Sequence, residues 1–150
     1  MTMTVKSCGT NDNLERAAQI MWENDFGAVP VVDGDGRVVG MITDRDSCMA
    51  AYMQGRPLGQ ILVSNAMSKR VHGAMENDPL EVVENMMRRV RVRRVPVLDA
   101  KGRLNGILSM NDLVRHAHRS LGRTTSVGQT IAAICEPHVA ARAKDHGQGR

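Results

Sequence analysis

A chain of 150 residues carrying a net charge of +4 has room for one compact domain and only a mild basic bias. Its three aromatic residues, Trp22, Phe26 and Tyr52, are too few for a platform that stacks single-stranded nucleic acid, so nucleic-acid binding is not expected. Cys8, Cys48 and Cys135 share no Cys-x-x-Cys spacing, and no segment nears the roughly 18 apolar residues of a membrane span. A disulfide framework and a membrane protein are therefore set aside, and a reducing, cytoplasmic setting is expected.

Val5-Lys6-Ser7-Cys8 is predicted to form a first short strand. Asp12 or Asn13 then caps a helix whose Leu14, Ala17, Ala18 and Met21 share one face, and Phe26-Gly27 ends it. Val29-Pro30-Val31-Val32 forms the next strand, with Pro30 near its start or on an edge. Asp33-Gly34-Asp35-Gly36 turns the chain into Val38 to Ile42, the second arm of a hairpin. A second helix runs from about Asp44 to Met53. The connector, Gly55 to Met67, joins Arg56-Pro57 and Gly59 to an apolar Ile61-Leu62-Val63, which predicts an ordered link with a short helix.

The order then recurs. Val71-His72-Gly73 is the expected strand, and Leu80, Val83, Met87 and Val90 are the stripe of a helix. Val95 to Leu98 and Leu104 to Leu108 are the arms of a hairpin, and Asn111 to His118 is the closing helix. Further on, Val127, Ile131 and Ile134 are spaced for an amphipathic helix stopped by Pro137, expected to dock on the domain or on a partner subunit. Residues 140–150 are polar and expected to be frayed or disordered.

The recurrence extends to individual residues. Asp12 to Asp46 realigns on Asp78 to Asp112 at a constant offset of 66 without a gap. Val29-Pro30-Val31-x-Asp33 returns as Val95-Pro96-Val97-x-Asp99, and Gly40-x-x-Thr43-x-x-Asp46 returns as Gly106-x-x-Ser109-x-x-Asp112. Two copies of one unit, each too small to bury its own apolar face, imply stacking around shared surfaces and a pair of equivalent clefts. The expected division is residues 1–54 for the first repeat, 55–66 for the connector, 67–122 for the second repeat, and 123–150 for a C-terminal helix and tail.

The motif Gly40-Met41-Ile42-Thr43-Asp44-Arg45-Asp46 lies where a strand feeds a helix start. Amides at a helix start suit a phosphate, the Thr43 hydroxyl can donate to it, and the Asp46 carboxylate can accept from a ribose diol. Gly40 lets a flat group approach the backbone closely. Gly106, Ser109 and Asp112 form the matching set. The same spacing also describes a capping box, in which hydroxyl and acid satisfy only their own helix; the two roles can coexist. Arg88, Arg89, Arg91, Arg93 and Arg94 form a basic run that reads as a solvated face, with phosphate binding the competing reading for Arg93 and Arg94 and nucleic-acid binding a third. His116 and His118 fall on different helix faces and, with His72 and His138 remote, make a poor zinc set. Cys8 and Cys48 are expected as small core residues, and most of the eleven methionines as core filler. No catalytic constellation is present.

This ordered set, repeated without a gap, resembles the tandem cystathionine β-synthase (CBS) domain, or Bateman module, over about Met1 to Arg119, with Met67-Ser68 and Val71 similar to the family's entry into its second repeat. The resemblance implies an α+β fold of two β-α-β-β-α repeats packed through their sheets into one pseudo-two-fold module. It implies a regulatory, non-catalytic module that binds an adenine nucleotide (AMP, ADP or ATP), with S-adenosylmethionine or NAD as alternatives, and that assembles as a homodimer and signals to an effector protein. Carried over by position, Thr43 and Ser109 touch phosphate, Asp46 and Asp112 hold ribose, and Ala28 and Arg94, preceded by Gly27 and Arg93, face the ligand. Arg45 adds a cation to the first motif. Only the second repeat has basic residues before its Val-Pro step, so the two clefts are expected to differ. A structural or protein-interaction module without a ligand is the rival reading.

Overall fold

The computed structural model describes residues 5–121, with side chains to Ala117. The expected C-terminal helix and tail, Cys135 and His138 lie outside the described residues. Within them the chain folds as β1 (Cys8–Gly9), α1 (Leu14–Asn24), β2 (Ala28–Val32), β3 (Val38–Thr43) and α2 (Asp44–Gln54), then β4 (Ala74–Met75), α3 (Leu80–Val90), β5 (Arg94–Leu98), β6 (Leu104–Ser109) and α4 (Met110–Leu121). Each half is a three-stranded sheet in which the first strand runs parallel to the second and the second antiparallel to the third. The parallel step needs a crossover, which α1 and α3 supply.

Local chemistry explains the matching halves. Asn13, not Asp12, caps α1 by accepting from Arg16 N at 3.0 Å. Asp12 Oδ2 instead accepts from Gly9 N at 2.8 Å, and Asp78 Oδ2 does the same for Met75 N at 2.7 Å. Helix α1 ends at Asn24 because Asp25 turns to φ 55°, and Phe26 N closes back on Met21 O at 2.9 Å. Arg91 (φ 56°) and Val92, which donates to Met87 O, repeat the device. In the hairpins, Asp33 Oδ1 accepts from Asp35 N and Arg37 N, and Asp99 Oδ1 from Lys101 N and Arg103 N. Gly36 and Gly102, both at φ 77°, make those turns.

The hairpin tips join the halves. Val38 N donates to Gly102 O and Leu104 N to Gly36 O, each at 3.2 Å. The two bonds exchange under the 66-residue offset, so a local two-fold passes between Arg37 and Arg103, which pair antiparallel there. A second tie joins Met41 and Ser68 through reciprocal backbone bonds of 3.0 and 2.9 Å.

Among the described residues the cores are unequal. In the first half Leu14, Ala17, Ile20, Met21, Val29, Val31 and Ile42 pack together with Cys8, and the connector adds Ile61 and Val63. The smaller second core holds Ala74, Val83, Met87 and Val95. The connector is thus more than a tether: two 3-10 turns, Leu58–Gln60 and Val63–Asn65, flank a buried Ile61. Both first strands fall later than expected, at Cys8–Gly9 and Ala74–Met75, because only two residues of each reach the parallel neighbour. Cys8 is fully buried, and burial pushes its thiol up to about 11, with Asp12 adding to the rise. Cys48, expected in the core, is exposed. The methionines divide likewise: Met21 and Met87 are buried, whereas Met49, Met53, Met75 and Met110 are exposed on helices α2 and α4 and on β4.

Candidate functional site

The start of α2 is closed on itself. Thr43 Oγ1 accepts from Asp46 N at 3.0 Å, and Asp46 Oδ2 accepts in return from Thr43 N at 3.0 Å and Thr43 Oγ1 at 2.7 Å. An ionised carboxylate only accepts, so the proton of that short contact belongs to Thr43. Asp44 N donates to Gly27 O at 3.2 Å, and Arg45 N to Asp44 Oδ1 at 2.7 Å. The first three amides of the helix and the Thr43 hydroxyl, which sequence reasoning reserved for phosphate, are therefore all engaged within the chain. Ser109 and Asp112 build the same box before α4, with Ser109 Oγ donating to Asp112 Oδ2 at 2.6 Å and accepting from Asp112 N at 3.2 Å.

The two acids differ in their second oxygen. Asp46 Oδ1 receives no hydrogen bond from another described residue. Asp112 Oδ1 accepts from Arg115 Nη2 at 2.8 Å in a largely buried ion pair, and Met49 stands at the equivalent place in the first repeat. Burial alone would raise the Asp112 carboxyl; the Ser109 hydroxyl and amide, then Arg115, outweigh it and hold the group below its ordinary 3.8.

Around the first motif opens a cleft of about 510 Å³, within the range of small-molecule sites. Gly27, Ala28, Met41, Thr43, Asp44, Arg45 and Asp46 line it from the first repeat. Ser68, Arg70, His72, Arg91, Arg93 and Arg94 line it from the segment entering the second repeat and from the turn before β5. Ala28 pairs with Thr43 across β2 and β3, and Arg94 with Ser109 across β5 and β6, so the positions before each Val-Pro step sit beside each motif. From that anchor Arg94 reaches the first motif: a Cβ at Gly27 would lie 3.3 Å from Arg94 Nη1 and 3.4 Å from Asp44 Oδ2. Burial lowers the Arg94 guanidinium below its ordinary value, opposed by Asp44, Asp112 and Asp25.

The cleft therefore gathers Thr43, Asp46, Arg45, Ala28, Arg93 and Arg94. Gly40 belongs elsewhere. A Cβ there would meet Met67 Sδ at 2.5 Å and Ser68 O at 3.0 Å, so the close approach it permits is to its own chain, not to a flat ligand. Gly106 is buried in β6 opposite Val97. Arg70, His72 and Arg91 were missed as cleft residues; they precede the second repeat's strands, and only the fold shows that those loops meet the first motif. Two further hollows, between α1 and α2 and between α3 and α4, are equivalents: Met21, Trp22, Phe26 and Cys48 of one match Met87, Arg88, Val92 and Val114 of the other.

A two-fold pair of β-α-β-β-α units with a cleft between them defines a class, and the family comparison agrees: the CBS domain matches residues 1–46 and 63–119. The chain belongs to the CBS domain family. It is 36% identical over 113 residues to the CBS domain-containing protein YhcV of Bacillus subtilis, covering 75% of this chain and 79% of that one. Among solved structures, Hypoxic Response Protein I with two coordinated zinc ions is similar with a TM-score of 0.70 and 33% identity, over 77% of this chain and 93% of that one. The CBS domain pair of protein MJ0100, in complex with 5′-methylthioadenosine and S-adenosyl-L-methionine, has a TM-score of 0.68 and 27% identity, over 77% and 92%. The described residues here hold no group of three or more His, Cys, Asp or Glu arranged for a metal, and none of their helices is long and apolar enough to cross a membrane.

Proposed function

We propose that this protein is a regulatory, non-catalytic sensor of an adenine nucleotide (AMP, ADP or ATP), bound in the first cleft and read out by an effector protein. The observation that carries the reading is the pairing, in one cleft, of an acid with an unoccupied oxygen and a set of arginines. Asp46 Oδ1 suits a ribose diol, and the arginines suit the phosphate. The two ligands of the MJ0100 pair, 5′-methylthioadenosine and S-adenosyl-L-methionine, both carry an adenosyl group, which supports the adenosyl half of the reading. S-adenosylmethionine and NAD share that half.

Signalling follows from differential binding. A ligand touching Asp46 on one repeat and Arg93 and Arg94 on the other favours whichever arrangement of the repeats brings these groups together. The chain acts as a homodimer in this reading, because apolar side chains are left exposed on the helical faces: Trp22 (57%), Tyr52 (80%), Met53 (76%) and Met110 (45%). The basic run does not favour nucleic acid. Arg88 faces the hollow between α3 and α4 while Arg91, Arg93 and Arg94 face the cleft, so no continuous basic stripe forms.

Thermal unfolding against AMP, ADP, ATP, NAD and S-adenosylmethionine tests the proposal. A true ligand at a hundred times its Kd is expected to add roughly 2.7 kcal/mol of stability. An unfolding temperature unmoved by every compound would leave the module with a purely structural or protein-interaction role.

A further inference from the structure

We infer that the first cleft selects a ligand with two or three phosphates, grips those phosphates with a wall of arginines and not with the helix start, and takes one such ligand per chain. The inference rests on the adenine-nucleotide reading above and names the chemical class within it.

The charges come first. Among the described residues Arg45, Arg70, Arg91, Arg93 and Arg94 line the cleft with His72, against Asp44 and Asp46, while Asp25 and Asp112 lie near enough to Arg94 to favour its charge. The ion pairs among the described residues engage Arg37, Arg103 and Arg115, and none of the five cleft arginines is in one. Guanidinium groups stay charged at any physiological pH, so five of them around one hollow repel each other. An anion entering the cleft relieves that repulsion, and the focused field draws it in.

The geometry then sets the anion's size. A lone phosphate could in principle sit on the α2 start, but Asp44 N, Arg45 N and Asp46 N are already engaged. Recognition is left to side chains. Each guanidinium presents a fork that matches two phosphate oxygens; one phosphate can engage two or three forks, and the five arginines of the cleft offer more than that. A chain of two or three phosphates supplies enough acceptors for arginines arriving from both repeats. A sulfonium ligand would instead bring a positive charge to a positive wall. The cleft is therefore set apart chemically from that of the MJ0100 pair, whose two ligands carry no phosphate.

The repeat itself supplies the control. At the 66-residue offset, Arg45 corresponds to Asn111, Arg91 to Asp25, Arg93 to Gly27 and Arg94 to Ala28. Arg94 also borders the second motif through its pairing with Ser109, but Asn111 and Asp25 stand there in place of Arg45 and Arg91, and its acid is already paired with Arg115.

Calorimetric titration of the full chain tests this with ATP, ADP, AMP, adenosine, S-adenosylmethionine and inorganic tripolyphosphate, at two salt concentrations. The expected order is ATP, ADP, AMP, adenosine, with about tenfold between ATP and AMP, one ATP per chain, and an ATP affinity that falls with salt more steeply than that of adenosine. Tripolyphosphate alone is expected to compete with ATP. Arg93→Ala should compress the ATP-to-AMP ratio, whereas Arg89→Ala, away from the cleft, should leave it unchanged. AMP or S-adenosylmethionine binding as tightly as ATP would overturn the inference and leave the sensor reading standing. Two equal ATP sites per chain would overturn the single-site claim. Binding by none of the compounds would overturn both readings.

Discussion

Asp46 and Asp112 occupy equivalent places but differ by one neighbour: Arg115 holds Oδ1 of Asp112 at 2.8 Å, where the first repeat has Met49. In the proposed sensor, that difference gives the ribose contact to Asp46. Asp46→Ala is expected to weaken nucleotide binding about ten- to a hundredfold, the loss of a charged hydrogen-bond partner, and to cost about 1 kcal/mol of stability through the lost cap. Asp112→Ala is expected to lower stability while leaving affinity for the first cleft within about twofold. Its cost is pH-dependent. A carboxyl held below 3.8 in the fold contributes stability that is present above that value and is lost as pH falls through the lower folded value. Titration calorimetry and acid unfolding of the two variants together check the assignment; weaker binding in Asp112→Ala and normal binding in Asp46→Ala would reverse it.

At the scale of elements, the repeat made most of the fold legible. Hydrophobic spacing marked α1 and α3, and the Asp-x-x-Gly turns marked both hairpins, because these signals are local. The first strands were misplaced because each makes only a two-residue parallel pairing, which leaves almost no periodic trace. Thr43-x-x-Asp46 was read correctly as a helix start, yet its spacing could not tell an open helix end from a closed one. That depends on Gly27 O reaching Asp44 N from another strand and on Asp44 folding over Arg45 N. Gly40 was assigned to a ligand for a similar reason: a glycine in a strand signals a close approach, and only the fold shows that Met67 and Ser68 make it. Arg70, His72 and Arg91 were invisible as site residues because they lie far along the chain from the motif they face.

At the scale of the molecule, pseudo-symmetry organises the scaffold and its breaking organises the chemistry. The Val38–Gly102 and Leu104–Gly36 bonds hold the halves about a local two-fold, while the arginines gather in one cleft. Because the equivalent helical hollows present Trp22 in one repeat and Arg88 in the other, a homodimer is expected to cover them. Sedimentation equilibrium should return twice the 16.4 kDa chain mass at micromolar concentration, and a mass that stays at one chain would remove the dimer from the account. The most direct measurement for the central claim is a crystal structure of the full chain grown with saturating ATP. The expected result is ribose hydroxyls on Asp46 Oδ1 and phosphates against Arg91, Arg93 and Arg94. A nucleotide seated at Ser109 and Asp112 with the arginine-lined cleft empty would contradict it.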